Sequence, residues 1–175
     1  MKLLVSFKRM EHLPEGLKTL VHQSVEILGE VIRHELGDAK YQRIDNLREK
    51  MASLRKLDHD EAIVPLREAL SELQDLSSEE RIEIAQSYTL MLEVMNSCEN
   101  AYRSHRIAER NLKLPADRPE SIVYVLTAHP TEARSPHNIA IFHQVLKQLI
   151  PLYRKQPVEL SGLDRLKLRH SLELA

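Results

Sequence analysis

A short run of β-branched and aromatic residues, Ile122 to Thr127, limits the possible folds of this chain more than any other feature. A continuous apolar run of this length is typical of a strand that is buried on both faces of a parallel sheet. Such a strand needs hydrogen-bonding neighbours on both sides. We find no second comparable strand in the sequence. Either the chain is part of something larger, or this segment is not a strand.

His129 follows the predicted strand directly. Because it precedes Pro130, its backbone is biased away from helical and towards extended geometry. This places an imidazole at the carboxyl end of a strand, where α/β folds usually carry their chemistry. The pattern alone allows two interpretations, a structural hydrogen-bonding histidine or a catalytic one.

The composition favours a helix-rich chain. The 175 residues include only four glycines and no tryptophan, and the 25 basic residues nearly balance the 26 acidic ones. A net charge of −1 gives no overall field for nucleic acid or an anionic membrane, so we expect neither as a partner. The apolar run at the N-terminus is cut short by Lys8 and Arg9, which argues against a signal peptide, and we expect a cytoplasmic protein.

Periodic apolar residues predict six helical segments. The first begins near Pro14 and ends at Gly37; the second is capped by Asp38; the third carries Pro65 in its first turn; Ser77 and Glu80 form a capping box for a long fourth helix that ends near Arg110. The predicted buried stripe of that helix consists of Ile82, Ala85, Tyr88, Leu92, Met95, Glu99 and Tyr102.

A fifth helix is predicted to start with Ser135 as N-cap and Pro136 as first residue, and to end before Pro151 or Pro157. Its apolar face is Ile139, Phe142, Val145, Leu146 and Leu149, and the last segment carries Leu160, Leu163, Leu166 and Leu172. The apolar pattern still continues at Ala175, so we expect a truncation inside a helix.

The sequence offers no clear metal site or cysteine chemistry. His34 and Glu35 lack the second histidine of a zinc-protease motif, and the segment from Asp58 to Asp60 lacks the glycine of a calcium loop. Cys98 lies in a helical pattern, which favours a buried, reduced thiol over a nucleophile.

Three stretches together resemble one known family. The octapeptide Val125 to Glu132 reads Val-Leu-Thr-Ala-His-Pro-Thr-Glu and is similar to the histidine signature of phosphoenolpyruvate carboxylases. Residues 27–48 resemble the first helical pair of that family, and residues 95–105 resemble the helix before its first barrel strand. The resemblance spans most of the chain from about Leu17.

The resemblance implies a mainly α fold, the helical N-terminal region of a (β/α)₈-barrel enzyme with only the first barrel strand and helix. On this interpretation residues 1–13 are an N-terminal arm, residues 14–120 are helices packed outside the barrel, and residues 121–175 hold the first strand and the following helices. The missing partners of the strand then lie in later sequence. The family is commonly oligomeric, so the full-length protein is expected to be a homo-oligomer.

The resemblance also implies a reaction. The family joins bicarbonate to phosphoenolpyruvate with Mg²⁺ or Mn²⁺, giving oxaloacetate and phosphate. His129 matches the family's catalytic histidine, which takes a proton from carboxyphosphate, and an unperturbed imidazole pKa of about 6.5 suits that role. Thr131 and Glu132 either orient the histidine and its turn or have a plain capping role.

Two departures from the family pattern bear on function. The family's Arg-Arg-Thr run is replaced by Ser135, Pro136 and His137, with Arg134 as the nearest arginine; whether Arg134 takes over that charge is left open. The family's metal-binding carboxylates, substrate-binding arginines and glycine-rich loop lie downstream of this segment. We therefore expect these 175 residues alone to be inactive, and a helical interaction module that retains the signature is the alternative function.

Overall fold

The computed structural model describes residues 13–112, 135–155 and 157–175. Within these ranges every regular element is helical. The helices are α1 (Glu15–Leu36), α2 (Asp38–Leu54), α3 (His59–Gln74), α4 (Ser78–Leu112), α5 (Pro136–Leu149), a 3₁₀ helix (Ile150–Arg154) and α6 (Gly162–Glu173). The mainly α prediction is confirmed at this level, whereas the predicted strand Ile122–Thr127 lies outside the described residues.

The helix boundaries follow local chemistry that the sequence displays. Gly37 has a φ of 83°, the left-handed region that glycine tolerates, and it ends α1 as predicted. The Ser77 amide donates to the Glu80 carboxylate at 2.9 Å, and the Glu80 amide donates to the Ser77 hydroxyl at 3.2 Å. This reciprocal pair is the predicted capping box, and α4 starts at the next residue, Ser78.

Two local predictions were wrong. Asp38 does not cap α2: the helix already begins at Asp38, the N-cap is Gly37, and the Asp38 carboxylate lies 3.2 Å from the Arg33 guanidinium. Pro65 is not in the first turn of α3, because that helix begins earlier, at His59, and Pro65 lies in its interior. The acidic first turn of α3, with Asp60 and Glu61, favours the earlier start because carboxylates stabilise the positive end of a helix.

The main core forms where α1 and α4 pack together and are covered by α5, the 3₁₀ helix and α6. Its fully buried residues include Leu20, Val25, Ile27, Leu28, Val94, Cys98, Ala101, Val145, Leu149, Leu152 and Leu168. The connector before α6 closes over α1, where the Leu160 amide donates to the Gln23 side-chain oxygen at 2.8 Å. In contrast, α3 buries only Ala69 and lies at the edge of the bundle.

The buried stripe of α4 is offset from the predicted one. Ile84, Ser87, Val94, Ser97, Cys98 and Ala101 are buried. Of the predicted stripe, Ile82 and Leu92 are 57% and 56% exposed, and Ala85 and Glu99 are also exposed, while Tyr88, Met95 and Tyr102 are half-buried. The observed stripe includes the small residues Ser87, Ser97, Cys98 and Ala101, and a count of hydrophobic residues does not register the serines.

For the last two helices, the predicted buried residues also agree only partly with the observed ones. In α5, Val145 and Leu149 are buried as predicted, Phe142 and Leu146 are half-buried, and Ile139 is 55% exposed. The α-helix ends at Leu149, and Pro151 lies in the 3₁₀ helix that follows. In the last segment Leu160 and Leu172 are buried, but Leu163 and Leu166 are exposed and Leu168 takes their place in the core.

We expect Leu149→Ala to lower the free energy of unfolding by about 2–4 kcal/mol, because Leu149 is fully buried and its truncation leaves a cavity. Leu166→Ala is the matched control: the same change on a side chain that is 64% exposed is expected to shift the value by less than about 0.5 kcal/mol. Urea unfolding followed by circular dichroism measures both. Equal effects at the two positions would contradict the core described above.

The capping box also predicts a pH dependence. Hydrogen bonds from the Ser77 amide and hydroxyl, with the nearby Arg43 guanidinium, lower the pKa of Glu80 to about 2. A carboxylate whose pKa is lower in the folded state stabilises the fold above its unfolded pKa of about 4.3, and this contribution is lost as the pH falls from there towards 2.

We expect Glu80→Gln to be less stable than the wild type at neutral pH and to lose less stability between about pH 4.3 and 2. Glu79→Gln is the control, since Glu79 makes none of these hydrogen bonds, and it should keep the wild-type decline. Urea midpoints across this pH range provide the measurement. An unchanged pH slope in Glu80→Gln would show that the box does not form.

Candidate functional site

The predicted site residues His129, Thr131, Glu132 and Arg134 lie outside the described residues, as does the strand that precedes them. The structure therefore does not test their roles. It does describe the two helices that flank this segment in the chain, because α4 ends at Leu112 and α5 begins at Pro136.

The helix that follows the signature starts at a well-formed cap. Ser135 has extended backbone angles, and its hydroxyl oxygen accepts a hydrogen bond from the Asn138 amide at 3.1 Å. Pro136 occupies the first turn, where its missing N–H costs nothing. Both features were predicted from the sequence and are confirmed. The helix that follows Arg134 in the sequence therefore has a well-defined first turn.

The other end of α5 is fastened to α4 through Tyr153 of the 3₁₀ helix. The Tyr153 hydroxyl donates to the Cys98 carbonyl oxygen at 3.2 Å. Its ring lies 5.7 Å from the Tyr102 ring in an edge-on arrangement and 5.7 Å from the His105 ring in a stacked one. Burial raises the pKa of Tyr153, so the phenol stays protonated and keeps its role as a donor.

A polar cleft of about 410 Å³ separates α4 from α5. Asn96, Glu99 and Arg103 line it from α4, and Phe142 and His143 line it from α5. Arg103 donates to Glu99 at 2.6 Å, so these two charges neutralise each other locally. The cleft offers amide, imidazole and guanidinium groups for hydrogen bonding, with a floor of apolar residues from α5.

Part of the cleft lining comes from residues 95–105, the stretch that resembles the family's helix before its first barrel strand. Asn96, Glu99 and Arg103 from that stretch line the cleft, whereas Tyr102 and His105 contact Tyr153. Residues of this stretch therefore pack against Tyr153 on one side of α4 and line the polar cleft on another. From the sequence, His143 was considered only together with His137, and their spacing of six residues does not place them on one helix face; nothing in the sequence indicated that His143 lines a cleft.

The histidines of the described residues do not gather into a metal site. His34 forms a hydrogen bond of 3.0 Å with Glu35, and the His137 ring lies 3.1 Å from the Leu174 carbonyl oxygen. Within residues 13–112, 135–155 and 157–175, no three histidine, cysteine, aspartate or glutamate side chains are placed to share a metal ion. The described residues therefore do not fit the Mg²⁺ or Mn²⁺ that the resemblance implies.

Cys98 is buried as predicted. It is fully excluded from solvent, and its thiol donates to the Ser24 hydroxyl oxygen at 3.6 Å. Burial raises the pKa of the Cys98 thiol to about 11. Because the thiolate is the reactive form, this cysteine is a packing residue and not a nucleophile.

None of the helices in the described part of the chain combines the length and apolar character that crossing a membrane requires.

The sequence of these helices is similar to that of one known protein family. A family model described as phosphoenolpyruvate carboxylase matches residues 17–123, which cover α1 to α4 and end just before the octapeptide. The phosphoenolpyruvate carboxylases of Escherichia coli O1:K1 / APEC and Shigella boydii serotype 18 are each 27% identical, and that of Enterobacter sp. (strain 638) is 26% identical. No solved structure matches the chain.

Each of these three alignments covers 77% of this chain but 18% of the relative, so the chain spans about a fifth of the length of the curated proteins that it matches. The family model alone extends over more than half of the sequence. The chain therefore belongs to the phosphoenolpyruvate carboxylase family.

Proposed function

We propose that this chain is the amino-terminal segment of a phosphoenolpyruvate carboxylase, which converts phosphoenolpyruvate and bicarbonate into oxaloacetate and phosphate. Membership of the family supports the proposal, and the octapeptide with His129 is the observation that carries the chemistry. The longer relatives support the view that this segment acts as part of a larger polypeptide.

His129 is proposed as the general base. Transfer of the phosphoryl group to bicarbonate gives carboxyphosphate and the enolate of pyruvate. His129 takes the proton from carboxyphosphate, which breaks into CO₂ and phosphate, and the enolate carbon then attacks CO₂ to form oxaloacetate. A neutral imidazole with a pKa near 6.5 is available for this step at neutral pH.

Three neighbours are proposed to support His129. Thr131 and Glu132 orient the imidazole or the turn that carries it, and Arg134 supplies a positive charge for the anionic intermediates. The capped start of α5 supports this arrangement, because the N-cap Ser135 follows Arg134 directly and is held by its hydrogen bond to the Asn138 amide.

The isolated chain is proposed to be inactive. The family uses a divalent cation to stabilise anionic oxygens, and the described residues supply no ligand set for one. The polar cleft between α4 and α5 contains one arginine, Arg103, which is already paired with Glu99. A trianionic substrate needs more positive charge than this cleft offers.

The test compares variants of the full polypeptide that carries this segment. We expect His129→Asn to lower kcat/KM for carboxylation by about 10²–10⁴-fold, because general-base catalysis contributes a factor of this size. Coupling oxaloacetate formation to its reduction by malate dehydrogenase and NADH provides the rate. Circular dichroism checks that the variant is folded.

His22→Asn is the matched control. It makes the same change at an exposed position of α1, within the family match but far along the chain from the signature, and it should keep wild-type activity. The purified 175-residue chain should give no detectable oxaloacetate. Full activity in His129→Asn would refute its role as the base, and turnover by the isolated chain would refute the proposal that it is inactive alone.

A further inference from the structure

An apolar groove runs between α2, α3 and α4 on the edge of the bundle; we call it the α2–α4 groove. It has a volume of about 480 Å³. Its walls are Leu47 and Met51 from α2, Leu66 and Leu70 from α3, and Tyr88 and Leu92 from α4. Leu66, Leu70 and Leu92 are 39%, 51% and 56% exposed, so the apolar walls face solvent in the described structure.

Helix α3 is incompletely covered by the rest of the bundle. Of its residues that line the groove, Leu66 and Leu70 are exposed, and only Ala69 is fully buried. Pro65 inside the helix removes one backbone donor, so α3 depends on packing more than an uninterrupted helix does. Exposed apolar side chains that are grouped in one groove usually mark an interaction site.

The charged side chains that line the groove are all basic. Apart from its apolar residues, its lining contains two charged side chains, and both are arginines, Arg48 and Arg55. Arg48 donates to the Asp45 carboxylate at 2.8 Å. Arg55 is exposed at the end of α2, and no carboxylate of the described residues lies within ion-pair distance of its guanidinium. An occupant with a carboxylate near Arg55 would complete this pair.

We propose that the α2–α4 groove holds an amphipathic α-helix whose apolar face is flanked by an aspartate or glutamate, and that the helix belongs to the longer carboxylase polypeptide. An open apolar trough between helices is suited to side chains at i, i+3, i+4 and i+7 of such a helix. The chain spans 18% of the relatives, so most of such a polypeptide lies outside it. The assignment of the helix to that polypeptide rests on the proposed function.

The affinity expected for the groove is also consistent with a helix from the same polypeptide. A groove with three half-exposed leucines and one unpaired arginine offers modest intrinsic affinity. A covalently linked helix has an effective concentration in the millimolar range, so modest affinity is enough to keep it bound.

The first experiment tests the chemistry of the occupant with the 175-residue chain. The probe is a fluorescein-labelled helical peptide of about four turns, with leucines at i, i+3, i+4 and i+7 and glutamates beside them. A matched peptide has lysines in place of the glutamates. Fluorescence anisotropy is expected to show tighter binding of the glutamate peptide, by up to about fivefold, the range of an exposed ion pair. Arg55→Glu should reverse this order.

Three further variants separate groove binding from general stickiness. Leu70→Glu and Leu92→Glu should abolish binding of both peptides, because each places a charge on the wall of the groove. Ile107→Glu is the control: Ile107 is 61% exposed on α4 and lies outside the groove, so binding should be unchanged. Since all three positions are largely exposed, circular dichroism should show wild-type helix content. No binding of either peptide, or an unchanged preference in Arg55→Glu, would overturn the inference.

The second experiment tests the source of the helix. Cys98 is buried, so Leu92→Cys provides one accessible thiol. Its alkylation by a maleimide should be at least about tenfold slower in the longer polypeptide than in the 175-residue chain, because a bound helix must open first. Addition of the glutamate peptide should slow alkylation in the short chain, whereas Ile107→Cys should react at an unchanged rate. Equal rates for Leu92→Cys in the two proteins, or a reading frame that stops after Ala175, would overturn the assignment to the same polypeptide.

The two proposals fail separately, since alkylation does not require turnover. Carboxylation by the longer polypeptide together with unprotected Leu92→Cys would reject the groove assignment alone. Protection of Leu92→Cys without carboxylation would reject the proposed function alone.

Discussion

The close contact of α1 with α4 at Cys98 is the interaction on which the rest of the bundle depends. The Cys98 thiol donates to Ser24 on α1, and the Cys98 carbonyl oxygen accepts from Tyr153 in the 3₁₀ helix. Its small neighbours on α4, Ser97 and Ala101, are also buried. One residue therefore joins three helical elements, and a larger side chain there would push all of them apart.

The two sides of α4 are held by different forces. On the side of α1 and α5, buried apolar residues make most of the contacts, and the hydrogen bonds of Cys98 with Ser24 and Tyr153 lie among them. On the side of α2, they include the Tyr88 hydroxyl, which donates to the Ile44 carbonyl oxygen at 3.1 Å, and surface ion pairs such as Lys40 with Glu83 at 2.6 Å. Ion pairs at the surface contribute little to stability. Most of the buried core therefore lies on the side of α1 and α5, and the α2–α4 groove lies on the side where fewer residues are buried.

Much of the fold could be predicted because residues at or next to a helix end determine where the helix begins or stops. Gly37, the pair of Ser77 and Glu80, and the pair of Ser135 and Pro136 each mark a boundary within a few residues. The buried face of α4 could not be predicted as well. Ser87 and Ser97 count as polar in a hydrophobic pattern, yet both are buried, because which face turns inward depends on the shape of the neighbouring helix.

The candidate site was predictable to a different degree. His129 was identified from a motif, and the described residues leave its role a prediction. The cleft of Asn96, Arg103 and His143 and the groove beside Arg55 arise only when helices distant in sequence pack together, so no local pattern announces them. Family membership did follow from sequence, since the octapeptide and two helical stretches pointed to the family whose model matches α1 to α4.

The interior proline of α3 has a kinetic consequence for the molecule. Pro65 offers no amide to the carbonyl oxygen one turn before it, so the first turns of α3 can separate without breaking the hydrogen bond that an ordinary residue would make there. The bundle is thus built with a hinge-like weak turn beside a solvent-facing apolar edge. Amide hydrogens in this part of α3 should exchange with deuterium long before those of the buried part of α4, while the core between α1 and α4 stays closed.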